Sequence, residues 1–244
     1  VSIVVCVPWI KPHAKFLPHF IEFYAANKAK HDLRLHWQMY RALHKVQASA
    51  VELARKRGAS HILFTEDDQW GFPVDGLDVL LEAGKDVIGL PTSFKQHPYL
   101  PMCMRKRDPS VSLIAGERNL SPFNRGDGDE VQVADLVTWA FTLVRTSVFD
   151  RIKNPFEVWG DSPTDSYFCQ YCDEAGIERY IHFGGWIEHG DIPRAHHSFY
   201  RRLNESILAS QRTFGADSIV DPNMPVFSAA DLEEQARLIE EGAK

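Results

Sequence analysis

The ten residues His61-Ile-Leu-Phe-Thr-Glu-Asp-Asp-Gln-Trp70 constrain this chain more than any other stretch. Ile62, Leu63 and Phe64 form an apolar run that belongs inside a core, and Glu66, Asp67 and Asp68 follow almost at once. Adjacent carboxylates repel one another and resist burial. The run is therefore expected to be a buried strand that leaves the interior at its carboxyl end. A divalent cation among the oxygens makes such a cluster tolerable, and the carboxyl ends of strands are where open α/β sheets bind ligands. A metal-dependent site at a strand tip is the first expectation.

The neighbouring pattern supplies the sheet. Residues 2–7 are an apolar, β-branched strand that Pro8 is expected to stop. Residues 15–30 place Phe16, Phe20, Phe23 and Tyr24 at helical spacing, and residues 33–40 alternate as a strand. Residues 45–57 form an amphipathic helix closed by Gly58. A helix over 75–83 ends at Gly84, and a strand over 87–90 ends at Pro91. This alternation marks a parallel sheet covered on both faces.

Residues 92–130 read as long loops around one hairpin, the kind of segment that carries function. Strands follow at 131–136 and 139–144, then a short helix over 147–152 capped by Thr146 or Ser147. A helix over 163–176, a strand over 179–183 and helices over 196–214 and 229–242 complete the chain. The expected fold class is α/β, with a central, mostly parallel mixed sheet flanked by helices. Residues 1–195 are expected to form one domain, with halves at 1–91 and 92–195, and residues 196–244 a helical extension.

A net charge of −6 argues against bulk electrostatic binding to nucleic acid. No apolar stretch is long enough to span a bilayer. No charged leader precedes the first strand, so a cytoplasmic location is expected. Cys169 and Cys172 form a lone CxxC without the second pair that a zinc ribbon needs. These two read as small buried residues, and nothing in the four cysteines, Cys6 and Cys103 included, demands a disulfide.

Four segments in this order resemble the GT-A-type nucleotide-diphosphosugar glycosyltransferase family, over residues 2–193. Glu66-Asp-Asp68 stands where that family has Asp-x-Asp at a strand end. Residues 130–149 resemble its acceptor-side segment. Asp161-Ser-Pro-Thr-Asp-Ser-Tyr-Phe-Cys169 resembles its Glu-Asp-x-x-Phe-Cys stretch, and Ile187-Glu-His-Gly190 resembles the part that carries a late histidine. The chain departs from the pattern at Glu66, at Thr164, and at Gln47-Ala48, where many relatives have Arg-Asn.

The resemblance implies a Rossmann-like GT-A fold and a sugar transferase using manganese, or magnesium, and a nucleotide-diphosphate sugar, with a UDP-sugar favoured. The implied metal ligands are Asp68, Glu66 and His189. Pro8, Trp9, Gln47, Glu66 and Asp67 are implied around the nucleotide, and Asp165 as the base. Such chemistry suits the residues: hard carboxylate oxygens hold a cation that neutralises a leaving diphosphate, and an imidazole favours manganese. Asp165 opens a helix, whose dipole is expected to keep it ionised.

Trp9 is expected to stack on a base or plug the core, and Trp139 and Trp186 to line an acceptor platform or pack beneath one. Arg105-Lys-Arg107 reads as a solvated loop or a phosphate contact, and His196-His197 as a surface pair. Acceptors considered are a glycan, a protein and, less favoured, hydroxymethylated DNA bases, which Arg105–Arg107 and Arg201-Arg202 would suit. Other function classes that fit strand-tip acids are a nucleotidyltransferase or phosphohydrolase, and a non-catalytic glycan- or nucleic-acid-binding module. The sequence has no GxxxxGK[ST] phosphate loop.

Overall fold

A computed structural model describes residues 1–39, 42–92, 102–106, 110, 120–122, 131–153, 155–156 and 164–190. These belong to one unit spanning Val1–Pro122 and Gly126–Gly190. The expected helices of residues 196–244, the His196-His197 pair, Arg201-Arg202 and Arg107 lie outside the described residues.

The chain begins β1 (Ser2–Trp9), α1 (Phe16–Lys28), β2 (Asp32–Met39), α2 (Leu43–Arg57) and β3 (His61–Thr65). It continues with β4 (Gln69–Trp70), α3 (Gly76–Glu82), β5 (Val87–Gly89) and the hairpin strands β6 (Met104–Lys106) and β7 (Leu120–Pro122). Then come β8 (Val131–Ala134), β9 (Phe141–Arg145), a 3-10 turn (Thr146–Asp150), α4 (Thr164–Glu174), β10 (Arg179–His182) and β11 (Glu188–His189).

Seven strands form one mixed sheet in the order β2-β1-β3-β9-β5-β10-β8. The fold class is α/β, as expected. The sheet is less uniform than the strand–helix alternation implied. β9 runs antiparallel between β3 and β5, and β8 runs antiparallel to β10, while β1, β2, β3, β5 and β10 share one direction. Among the described residues of 92–130, β6 and β7 pair antiparallel.

Side-chain alternation along β1 and β3 feeds two cores. Ile3, Val5, Val7 and Leu63 pack with Phe16, Phe20, Phe23, Phe72 and Phe141 on the α1 face. On the other face Phe64 meets Trp139, Phe149 and Phe156, and Trp139 meets Phe168 of α4. Each such ring contributes about 1.5–3 kcal/mol by burial.

Two local expectations are corrected. Pro8 does not stop β1, which pairs with β2 through Pro8↔Gln38 and Trp9↔Met39. Pairing with β3 ends at Cys6↔Phe64, so beyond it β1 is paired on one side only and tolerates a missing N–H. Neither Thr146 nor Ser147 caps the short turn. Arg145 holds the cap position without a side-chain bond, and Thr146 Oγ1 instead donates to the Ala59 carbonyl at 2.7 Å.

Candidate active site

All five residues of β3 are buried, because β1 and β9 flank the strand. Its last residue, Thr65, pairs with Phe141 and donates from Oγ1 to the Cys6 carbonyl at 3.2 Å. The ladder ends there, and the acids begin.

Asp67 turns inward. Its Oδ2 accepts the backbone N–H groups of Ile10 at 2.6 Å and Lys11 at 2.7 Å, and its carbonyl accepts the His13 N–H at 2.8 Å. Burial raises its pKa, the two amides oppose that rise, and the Asp68 charge adds to it. Through these bonds the carboxylate fixes the β1–α1 loop.

Asp68 and His189 come together across more than a hundred residues. β4 pairs antiparallel with β11 through Glu188↔Trp70 and His189↔Gln69. Gly190 N–H donates to the Asp68 carbonyl at 2.8 Å, and the Trp70 indole N–H donates to the Gly190 carbonyl. His189 Nε2 then lies 3.4 Å from Asp68 Oδ2. Gly71 has φ +70 and sits under Glu188, whose Cγ would lie 2.8 Å from any added Cβ. The close crossing of the two short strands therefore requires glycine.

A residue that the sequence reading missed organises the acids. Gln69 is buried, and its Nε2 lies 3.3 Å from Asp68 Oδ1 and 3.5 Å from Glu66 Oε2. Thr92 Oγ1 lies 3.1 Å from Gln69 Oε1. The available signal was a lone amide donor directly after three acceptors.

As a cation site, Asp68 and His189 offer a carboxylate and an imidazole at a separation close to the roughly 3.0–3.4 Å between neighbouring ligand atoms about 2.1 Å from one metal. Among the described residues no group of three or more His, Cys, Asp or Glu side chains is arranged to hold an ion. The pair fits a cation that takes its other ligands from phosphate and water, the usual habit of nucleotide-bound magnesium. Glu66 is half-buried, and its described contact is with Gln69.

Asp165 lies in the first turn of α4, where its Oδ1 accepts the Ser166 N–H at 2.9 Å. Burial pushes its pKa up to about 6 against the backbone N–H groups that lower it, so the carboxyl is still ionised at neutral pH. Thr164 Oγ1 accepts the Trp139 indole N–H at 3.1 Å. Trp139 shortly precedes Phe141, the partner of Thr65, so the start of α4 lies at the same end of the sheet as the acids. Among the described residues Asp165 makes no hydrogen bond to Asp68 or His189.

The other candidates divide. Trp9 packs on Trp37 at 4.4 Å and Phe16 at 5.8 Å, and so plugs the core edge. Pro8 is buried beside it. Trp139 is buried beneath the surface, and Trp186 is half-buried. Gln47 is buried in α2, and its Oε1 has no hydrogen-bond partner. Lys106 is not solvated: its ammonium pairs with Asp173, which also binds the buried Arg179. Arg105 donates to the Val133 carbonyl at 3.0 Å. All four cysteines are buried thiols. No helix among the described residues is long and apolar enough to cross a membrane.

No family model matches the chain, and no curated protein matches it by sequence. Among solved structures it is similar to A197 from STIV, at 13% identity and a TM-score of 0.49, over 75% of this chain and 83% of that one. It is also similar to GalNAc-T7 solved with UDP, GalNAc and Mn2+, at 8% identity and a TM-score of 0.44. That match covers 99% of this chain and 56% of the other, so the chain spans a little over half of that protein's length.

Proposed function

We propose that the chain is a metal-dependent glycosyltransferase that moves a sugar from a nucleotide-diphosphate sugar, a UDP-sugar by preference, to an acceptor hydroxyl. The observation that carries this reading is the 3.4 Å approach of His189 Nε2 to Asp68 Oδ2 at the carboxyl end of a mixed α/β sheet. Asp68 and His189 would hold manganese or magnesium, which supplies charge neutralisation to the departing diphosphate.

The chain's own residues do the rest. Gln69 aims the Asp68 and Glu66 carboxylates. Gln47 Oε1, buried and unpartnered, is suited to accept an N–H from the nucleobase. Asp165, with its pKa raised to about 6, suits a base that is ionised at neutral pH yet still attracts a proton. The acceptor oxygen bonds to the anomeric carbon, the bond from that carbon to the phosphate oxygen breaks with its electron pair going to the diphosphate, and the hydroxyl proton passes to Asp165. A glycan, a protein or a hydroxymethylated DNA base each presents such a hydroxyl.

The test is release of nucleotide from a panel of UDP- and GDP-sugars with manganese, using wild type, Asp68→Ala and His189→Ala. Both variants should stay folded by circular dichroism and lose turnover. Unchanged turnover in folded Asp68→Ala sinks the reading.

A further inference from the structure

Beside Asp68 lies a cluster that this reaction does not use. Lys11, His13, Lys15 and His19 fall within nine residues of sequence. Three of them meet at the Trp70 indole. Lys15 Nζ lies 4.1 Å from the ring centroid, the His13 ring stacks at 6.5 Å with planes 19° apart, and the His19 ring lies at 5.5 Å. The fourth, Lys11, is anchored nearby through its backbone N–H to Asp67 Oδ2, and His13 through its N–H to the Asp67 carbonyl. The Lys15 N–H donates to His13 Nδ1 at 3.3 Å, so a neutral His13 carries its proton on Nε2 as a donor.

Basic side chains gather on the α1 side of this ring, while the buried Glu188 pairs with Trp70 from the β11 side. Lys11 and Lys15 are exposed, and His13, His19 and Trp70 are half-buried. The first turn of α1 holds no acid. Asp67 is turned onto the Ile10 and Lys11 amides, and Asp68 approaches His189. Ammonium and imidazole donors gathered on a fixed scaffold complement an oxyanion. Trp70 follows Asp68 by two residues, with Asp68 in the turn that leads into β4, so a single substrate can reach both places.

We propose that Lys11, His13, Lys15 and His19, grouped about Trp70, form an oxyanion-binding subsite that recognises a phosphate or carboxylate group on the acceptor. That the anion belongs to an acceptor rests on the transferase reading; the subsite itself does not.

The experiment therefore uses the full chain without metal or nucleotide. Inorganic phosphate, and separately acetate, is titrated at an ionic strength held constant with chloride, while the imidazole resonances of His13 and His19 are followed by NMR. Saturable shifts are expected with at least one anion. A phosphate response alone assigns a phosphate ester, and an acetate response of equal strength assigns a carboxylate. Lys11→Gln and Lys15→Gln should each weaken binding by up to about fivefold, and the double variant should abolish saturation. Asp68→Ala should bind like wild type; loss of binding there overturns the subsite, as do the absence of saturation in wild type and a double variant that titrates unchanged. None of these readouts depends on turnover, so this proposal and the transferase reading fail separately.

Discussion

The Trp70 indole N–H donates to the Gly190 carbonyl at 2.7 Å, closing the β4–β11 ribbon one residue past His189. The ribbon has only two residues on each strand, so each bond in it matters to where the imidazole sits. Trp70→Phe should cost about 1 kcal/mol through the lost bond. It should also weaken manganese binding while leaving Asp68 in place. A thermal melt and a manganese titration by paramagnetic resonance check the two effects separately.

Asp67 and Asp68 are adjacent but should respond oppositely to substitution. Asp67→Ala removes the charged acceptor of two part-buried amide donors and should destabilise the fold by about 1–3 kcal/mol. Asp67→Asn keeps one acceptor oxygen and should lose less. Asp68 has 29% of its side chain exposed, so Asp68→Ala should melt close to wild type. Urea denaturation of the three variants tests the division.

Asp165 gives a pH signature. Its pKa rises from the ordinary 3.8 to about 6 on folding, so its contribution to stability is fully present below about 3.8 and is lost as pH rises through about 6. The wild type should therefore lose about 3 kcal/mol relative to Asp165→Asn between pH 3.5 and pH 7. Chemical denaturation across that range measures it. If Asp165 is the base, turnover should rise along a limb centred near pH 6, and Asp165→Asn should remove that limb.

Gln47→Leu removes a buried oxygen that has no partner. It should leave stability unchanged or raise it by about 1 kcal/mol. UDP affinity should fall, which calorimetry reads directly. A variant that is less stable and binds UDP normally would make Gln47 a packing residue.

Lys106, Asp173 and Arg179 tie the β6–β7 hairpin to α4 and β10. Asp173→Ala removes the described partner of Lys106 and leaves Arg179 only its longer 3.9 Å pairing with Asp135, and should cost about 3 kcal/mol. Lys106→Met leaves the Asp173–Arg179 pair intact and should cost far less. The difference between the two melting temperatures is the readout.

Local periodicity made much of this molecule legible in advance. Phe16, Phe20 and Phe23 at helical spacing, Gly58 closing α2 and the apolar run before Glu66 each report a neighbourhood of a few residues. What stayed hidden was set by pairing at long range. Nothing near Phe141 says that β9 will run antiparallel between β3 and β5. The two-residue strands β4 and β11 have no periodicity to read, and Asp68 and His189 were linked only by resemblance. Charge alone misplaced Lys106, because Asp173 reaches it from a distant helix. The burial that raises the Asp165 pKa to about 6 is likewise set by packing that the local sequence does not report.

The position of β9 also dictates the order of assembly on the ribosome. β3 and β5 are synthesised early, yet the strand that joins them occupies residues 141–145. Until that strand emerges, each faces an open slot, and the nascent chain must carry two unfinished sheet edges for more than fifty residues. A fragment ending before residue 141 should therefore aggregate rather than fold, although every helix and strand of the first half is already encoded within it.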